Sequence, residues 1–171
     1  GEYKEFHENS QLSALLHYKN DTLSGTAKEY YDNGHLKSSY HYHNNEIEGE
    51  FLSFYRNKKP ESNRKFKNGL LDGIEKVYYE NGELSSLFNY RKGVKSGICK
   101  EFYPNGKLKS SCIYSDKPHD CSVYYPDGQL KEKGECMGSQ KVGLWEIYHE
   151  NGMISETGYY ATSDYTKSMK H

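Results

Sequence analysis

Glycine recurs every 24 residues at Gly1, Gly25, Gly49, Gly73 and Gly97, and after a slip of two residues the same lattice resumes at His119 and Gly143. A fixed period of this length makes the chain an array of seven repeats, each a supersecondary unit that buries apolar surface mainly against its neighbours. Counted from the opening residue, an aromatic pair or its histidine variant stands at positions 6 and 7. An Asn-Gly or Asp-Gly usually follows at positions 9 and 10, and a branched aliphatic residue at position 12. The repeat Val77-Tyr78-Tyr79-Glu80-Asn81-Gly82-Glu83-Leu84 shows all of these.

Asn33-Gly34, Asn81-Gly82, Asn105-Gly106, Asp127-Gly128 and Asn151-Gly152 are signals for two-residue hairpin loops of type I′, in which both central residues have positive φ. The flanking segments are rich in Tyr, Phe and Leu and too short for helices, so each repeat is expected to hold two strands. About fourteen antiparallel strands follow, with a slightly longer return turn between repeats such as Lys92-Gly93-Val94-Lys95-Ser96. Closing the hairpin at Asn-Gly makes facing positions sum to 19. Position 3 then opposes 16, and position 7 opposes 12, pairing Tyr31 with Leu36, Tyr79 with Leu84, Tyr103 with Leu108 and Tyr125 with Leu130. Position 18 adds Tyr18, Tyr42, Phe66, Tyr90, Tyr114 and Tyr160 to that face. The first and third repeats carry degraded turns, Asn9-Ser10 and Asn57-Lys58 with Pro60, and Ala161 to His171 lies outside the pattern as a tail or cap.

Only 34% of residues are hydrophobic, and mean hydropathy is -1.04, too polar for one thick core. The 18 Tyr, 6 Phe and single Trp nevertheless supply the apolar area and strand propensity that disordered chains lack. The expected fold is therefore all-β: about seven tandem hairpins over residues 1–160, in an elongated, twisted, single-layer antiparallel sheet. The 23 basic and 24 acidic side chains are mixed through every repeat, which leaves no basic stripe for nucleic acid. No apolar run reaches the roughly 18 residues that span a bilayer. No leader precedes the first repeat, so the cytoplasm is the expected location, with the envelope or exterior as the alternative if a leader was trimmed.

The spacing Gly25, Tyr30, Tyr31, Asn33, Gly34, Leu36, Tyr42, repeated as Gly73, Tyr78, Tyr79, Asn81, Gly82, Leu84, Tyr90, resembles MORN repeats, most closely the bacterial variant of the YwqK-family antitoxin group. The likeness covers residues 1 to 160. It departs at position 3, where an aromatic is usual: Trp145 fits, Phe51 and Tyr3 fit in part, and Ala27, Glu75, Cys99 and Cys121 fill the other repeats. The resemblance implies a hairpin-repeat sheet with a non-catalytic role in toxin neutralisation, protein scaffolding or membrane attachment.

Of the eight histidines, His41 and His43 would share one strand face, but the spacing matches no zinc pattern, and His7 and His149 stand in for Tyr at position 7. Cys99, Cys112, Cys121 and Cys136 include no CxxC. The pairing sets Cys99 opposite Cys112, and Cys112 opposite Cys121 across the next turn. Reduced thiols filling the sheet are the cytosolic expectation, with a cross-strand disulfide as the alternative. No catalytic motif, cofactor site or metal site emerges, and an enzyme is not expected.

The candidate partner-binding residues are the position-6 aromatics Tyr30, Phe54, Tyr78, Phe102, Tyr124 and Tyr148. Their structural reading is strand packing between repeats. Their functional reading is a strip of rings rimmed by Lys, Glu and Ser, the composition of protein interfaces. The expected function is protein binding, as an immunity or antitoxin protein that occludes a toxin or effector. A carbohydrate or envelope-binding module and a membrane-apposed scaffold are the alternatives, and exposed sheet edges leave room for an edge-to-edge homodimer.

Overall fold

The computed structural model describes residues 1–161, which form seventeen strands and no helix. The expectation for the tail lies, from residue 162 onward, outside the described residues. Two compact bodies divide the chain, Gly1–Lys95 and the residues from Ser96 onward.

The first body holds β1 (Glu2–Phe6), β2 (Leu12–Lys19), β3 (Thr22–Leu23), β4 (Gly25–Tyr30), β5 (Leu36–His43), β6 (Glu46–Ile47), β7 (Gly49–Phe54), β8 (Pro60–Lys67), β9 (Leu70–Leu71), β10 (Gly73–Tyr78) and β11 (Leu84–Arg91). β12 (Val94–Phe102) leads into the second body, which continues with β13 (Leu108–Tyr114), β14 (His119–Tyr124), β15 (Leu130–Met137), β16 (Gln140–Tyr148) and β17 (Ile154–Tyr160). Within each body the long strands pair antiparallel with their sequence neighbours, so the hairpins follow one another in chain order. The count exceeds fourteen because three return connections form the two-residue strands β3, β6 and β9.

The two kinds of turn are exchanged relative to expectation. At Asn81-Gly82 the Gly82 amide donates to the Tyr79 carbonyl and the Tyr79 amide to the Glu83 carbonyl. Gly82 has φ 99, and Asn81 is not among the positive-φ residues. This is a three-residue loop closed by a left-handed residue, rather than a type I′ turn. All seven hairpins close with this pair of backbone bonds. Asn is used for its side chain: Asn81 Oδ1 accepts the Glu83 amide at 3.0 Å, and Asn or Asp does the same in the other six turns. The paired positive φ of a type I′ turn appears instead at the return connections, at Asn20-Asp21, Asn44-Asn45, Asn68-Gly69 and Lys92-Gly93.

The longer loop shifts the register. Gly73 opposite Tyr90, Glu75 opposite Phe88 and Val77 opposite Ser86 keep the sum of 19, and then a bulge brings Tyr78, not Tyr79, opposite Leu84. The same shift occurs in every hairpin, so position 6 faces position 12 and the expected pairing of position 7 with position 12 is corrected. Positions 1 and 18 remain opposed, which sets Tyr42, Phe66, Tyr90, Tyr114 and Tyr160 beside an opening glycine. An aromatic there covers backbone that glycine leaves bare.

Burial falls at positions 3, 5, 14 and 16 in the first body, and in the second at position 3 together with Cys136 and Val142. In the first body Ala14, Ala27, Tyr40, Ser38, Ser53, Ser62 and Glu75 are buried, and in the second Cys99, Cys121, Cys136, Val142 and Trp145. Tyr40 stacks on Phe51 at 5.0 Å between ring centres, and Phe66 packs against Phe51 at 6.0 Å. Trp145, 1% exposed, lies over Gly134 and is packed with Cys121 and Cys136. All four cysteines are paired, as Cys99–Cys112 and Cys121–Cys136 with Cα separations of 5.3 and 5.9 Å, in place of the reduced thiols expected.

Candidate functional site

The position-6 aromatics end the first strand of their hairpins. Tyr30 faces Leu36, Phe54 faces Pro60 and Tyr78 faces Leu84 in the first body. Phe102 faces Leu108, Tyr124 faces Leu130 and Tyr148 faces Ile154 in the second. All six rings are half-buried. Each thus stands partly open to solvent and opposite an aliphatic residue or proline on the paired strand.

Position 7 has a role that pattern reading did not detect. The Tyr31 hydroxyl donates to the Phe54 carbonyl at 2.9 Å and the Tyr55 hydroxyl to the Tyr78 carbonyl at 2.5 Å. In the second body Tyr103 donates to Tyr124 and Tyr125 to Tyr148, both at 2.8 Å. His7 Nε2 meets the Tyr30 carbonyl at 2.9 Å, which explains why histidine substitutes at this position. Each bond ties one hairpin to the backbone of position 6 in the next. A neighbouring tie runs from the turn: Asn9 and Asn57 donate to Asp32 and Glu80 carbonyls, and Asn105 to that of Pro126. The sequence signal for both ties was available, because position 7 is Tyr or His and position 9 is Asn or Asp in all seven repeats, which keeps a polar atom at the same place in each.

Charges border these rings. In the second body the Lys133 ammonium lies 2.9 Å from the Glu146 carboxylate and 5.6 Å from the Tyr148 ring centre. The Tyr148 hydroxyl donates to the same carboxylate, and that bond, followed by Lys133, holds the Glu146 carboxyl below its ordinary range. In the first body Arg56 covers the Tyr31 ring at 4.8 Å and pairs with Asp32 at 2.6 Å. Burial and then the Glu29 carboxylate hold the Tyr40 phenol well above its ordinary value.

His41 and His43, two apart on β5, join no metal-holding group, since no cluster of three or more His, Cys, Asp or Glu is so arranged among the described residues. His17 and His35 instead meet backbone carbonyls of later strands and loops, at 2.7 and 2.9 Å. No helix among the described residues is long and apolar enough to cross a membrane.

The model of the MORN repeat variant matches residues 1–20, 23–44, 71–92, 95–116, 120–135 and 141–161. No curated protein matches the chain. The unmatched stretch includes the third repeat, whose turn carries Lys58 and Pro60, yet it closes by the same two backbone bonds as its neighbours. With the matches covering more than half of its length, on hairpins of one shared turn and register, the chain belongs to the MORN repeat variant family, whose repeats are modules for binding proteins and membranes.

Proposed function

We propose that this protein is a non-catalytic protein-binding module that uses the position-6 aromatics of its hairpins as anchors. One observation carries the reading: within each body the position-6 carbonyl of a following hairpin accepts a hydrogen bond from position 7 of the hairpin before it. Rings on backbone fixed in this way lose little freedom when a partner covers them, and preorganised aromatic anchors of this kind dominate interface energies. The antitoxin or immunity role, in which one face occludes a toxin, is the specific form we favour, because it needs a rigid surface and no catalytic groups.

Two disulfides support an oxidising compartment over the cytoplasm as the place of action, because the cytosol keeps thiols reduced. The partner would then meet the protein outside the reducing cytosol.

Cross-linking in the native host, followed by mass spectrometry, identifies the bound protein. Phe102→Ala with Tyr124→Ala, both in the second body, is expected to weaken that complex by roughly a hundredfold, since each anchor contributes about 1–2 kcal/mol. A folded double variant that binds as tightly as the parent would remove the anchor assignment in that body. The matching pair in the first body, Tyr30→Ala with Phe54→Ala, tests its row separately.

A further inference from the structure

The 5 and 14 positions of the first body lie in one row across its strands, with Ser38 opposite Ser53 and Ser53 opposite Ser62. All three serines are buried. Their small side chains leave a groove of about 280 Å³, walled by Phe51, Tyr55 and Val77 and rimmed by Glu29, Lys37, Glu61 and Arg64. None of its lining residues comes from position 6.

Most polar groups of the groove satisfy one another. Ser53 and Ser62 share a hydrogen bond of 2.7 Å, Glu29 accepts from the Tyr40 hydroxyl at 3.0 Å and lies 3.6 Å from Lys37, and Arg64 pairs with Glu75 at 2.7 Å. Two acceptors remain. Ser38, 3% exposed, has a buried Oγ without a hydrogen-bond partner. Glu61 is half-buried, and among the described residues no cation pairs with it. A carboxylate partly removed from water and left without a counter-ion favours a cation in its place.

The aromatic wall asks for the same chemistry. Tyr55 occupies position 7, where Arg56 covers Tyr31 at 4.8 Å in the second repeat and Lys131 covers Tyr125 at 5.7 Å in the sixth. No internal cation covers Tyr55 among the described residues. The protein thus fills this place from its own chain in two repeats and leaves it open beside Glu61 in the third.

We infer that the serine-floored groove is a recognition site for one arginine side chain of a protein partner, its guanidinium lying on the Tyr55 ring and donating to Glu61 and toward Ser38. Arginine fits better than lysine because its planar fork stacks on a ring and donates in several directions together. That the arginine belongs to a protein rests on the function proposed above. The groove itself does not, and the test uses a free probe so that the two fail separately.

The probe is N-acetyl-L-arginine N-methylamide, titrated into the full chain labelled with ¹⁵N and followed by amide shifts. Saturable shifts confined to Ser38, Ser53, Tyr55, Glu61 and their neighbours are expected. Glu61→Gln, with its remaining amide spectrum unchanged, is expected to bind the probe roughly tenfold more weakly, as for loss of a hydrogen bond to a charged group. The neutral analogue N-acetyl-L-norleucine N-methylamide is expected to leave the groove unshifted. Absence of saturable shifts, equal affinity in Glu61→Gln, an equal response to the norleucine analogue, or shifts produced by cellotetraose alone would each overturn the assignment. The last of these outcomes would give the groove to polyols. If the groove passes and the Tyr30→Ala with Phe54→Ala complex is unaffected, the arginine site stands while the ring row in that body falls.

Discussion

Lys58 and Ser10 hold the left-handed place at the end of their loops, with φ 69 and 64, where five other hairpins have glycine. A side chain in that conformation costs about 1–2 kcal/mol, whereas glycine adopts it freely and loses roughly 0.5–1 kcal/mol through its more flexible unfolded chain. The difference favours glycine. Lys58→Gly should therefore stabilise the first body by about 0.5–1 kcal/mol, seen as a higher urea midpoint with an unchanged slope. A lower midpoint would show that the Lys58 side chain contributes something its geometry does not reveal. The opposite case is Gly134, where an added Cβ would come 2.5 Å from the Trp145 ring. That ring is fully buried and has no room to retreat, so Gly134→Ala should cost about 1–3 kcal/mol by overpacking. Gly158 opposes the same tryptophan across the other strand, but its added Cβ would meet only Tyr160 at an ordinary 3.7 Å. Equal unfolding midpoints for Gly134→Ala and Gly158→Ala would show that the close approach is relieved by backbone movement.

Among elements, the hairpin loop sets the register and the register decides which aromatic faces which strand. The repeat lattice made the hairpins legible, because Asn-Gly between Tyr-rich runs of fixed length admits little else. The turn class was not legible from those two residues. Asn-Gly satisfies a type I′ loop through two positive φ values, and it equally satisfies the three-residue loop through an Asn side chain that accepts an amide two residues on. The second solution prevails in all seven hairpins and moves position 12 from position 7 to position 6. No longer set against position 12, the position-7 side chain reaches the next hairpin while its backbone closes the loop of its own. The groove was hidden for a related reason: Ser38, Ser53 and Ser62 are ordinary strand residues until neighbouring repeats place them in a row. A direct test of the tie is Tyr103→Phe, which leaves the ring and removes the donor to the Tyr124 carbonyl. About 1 kcal/mol of stability should be lost, with faster amide exchange around Tyr124. Unchanged exchange there would mean that water replaces the hydroxyl without loss.

For the whole molecule, the two bodies are fastened by different means. The first relies on ring packing among Tyr40, Phe51 and Phe66 and on the Arg64–Glu75 pair, whereas the second adds two cross-links inside consecutive hairpins. The cross-linked residues are 13 and 15 positions apart, and closing a loop of that size restricts the unfolded chain by about 3 kcal/mol. Cys112 also packs against the cluster of Cys121, Cys136 and Trp145, so cutting either bond disturbs the core around the other. In a repeat array, stability is close to a sum of local terms, and such a loss should stay where it arises. Dithiothreitol should therefore speed amide exchange in β13 to β17 while the strands of the first body keep their protection. Thiol counting on protein kept from reductant should find no free cysteine. Four titratable thiols would return the chain to the reducing cytosol as its expected location. Equal loss of protection in both bodies would instead show that they unfold as one cooperative unit, and that the additive account of this array is wrong.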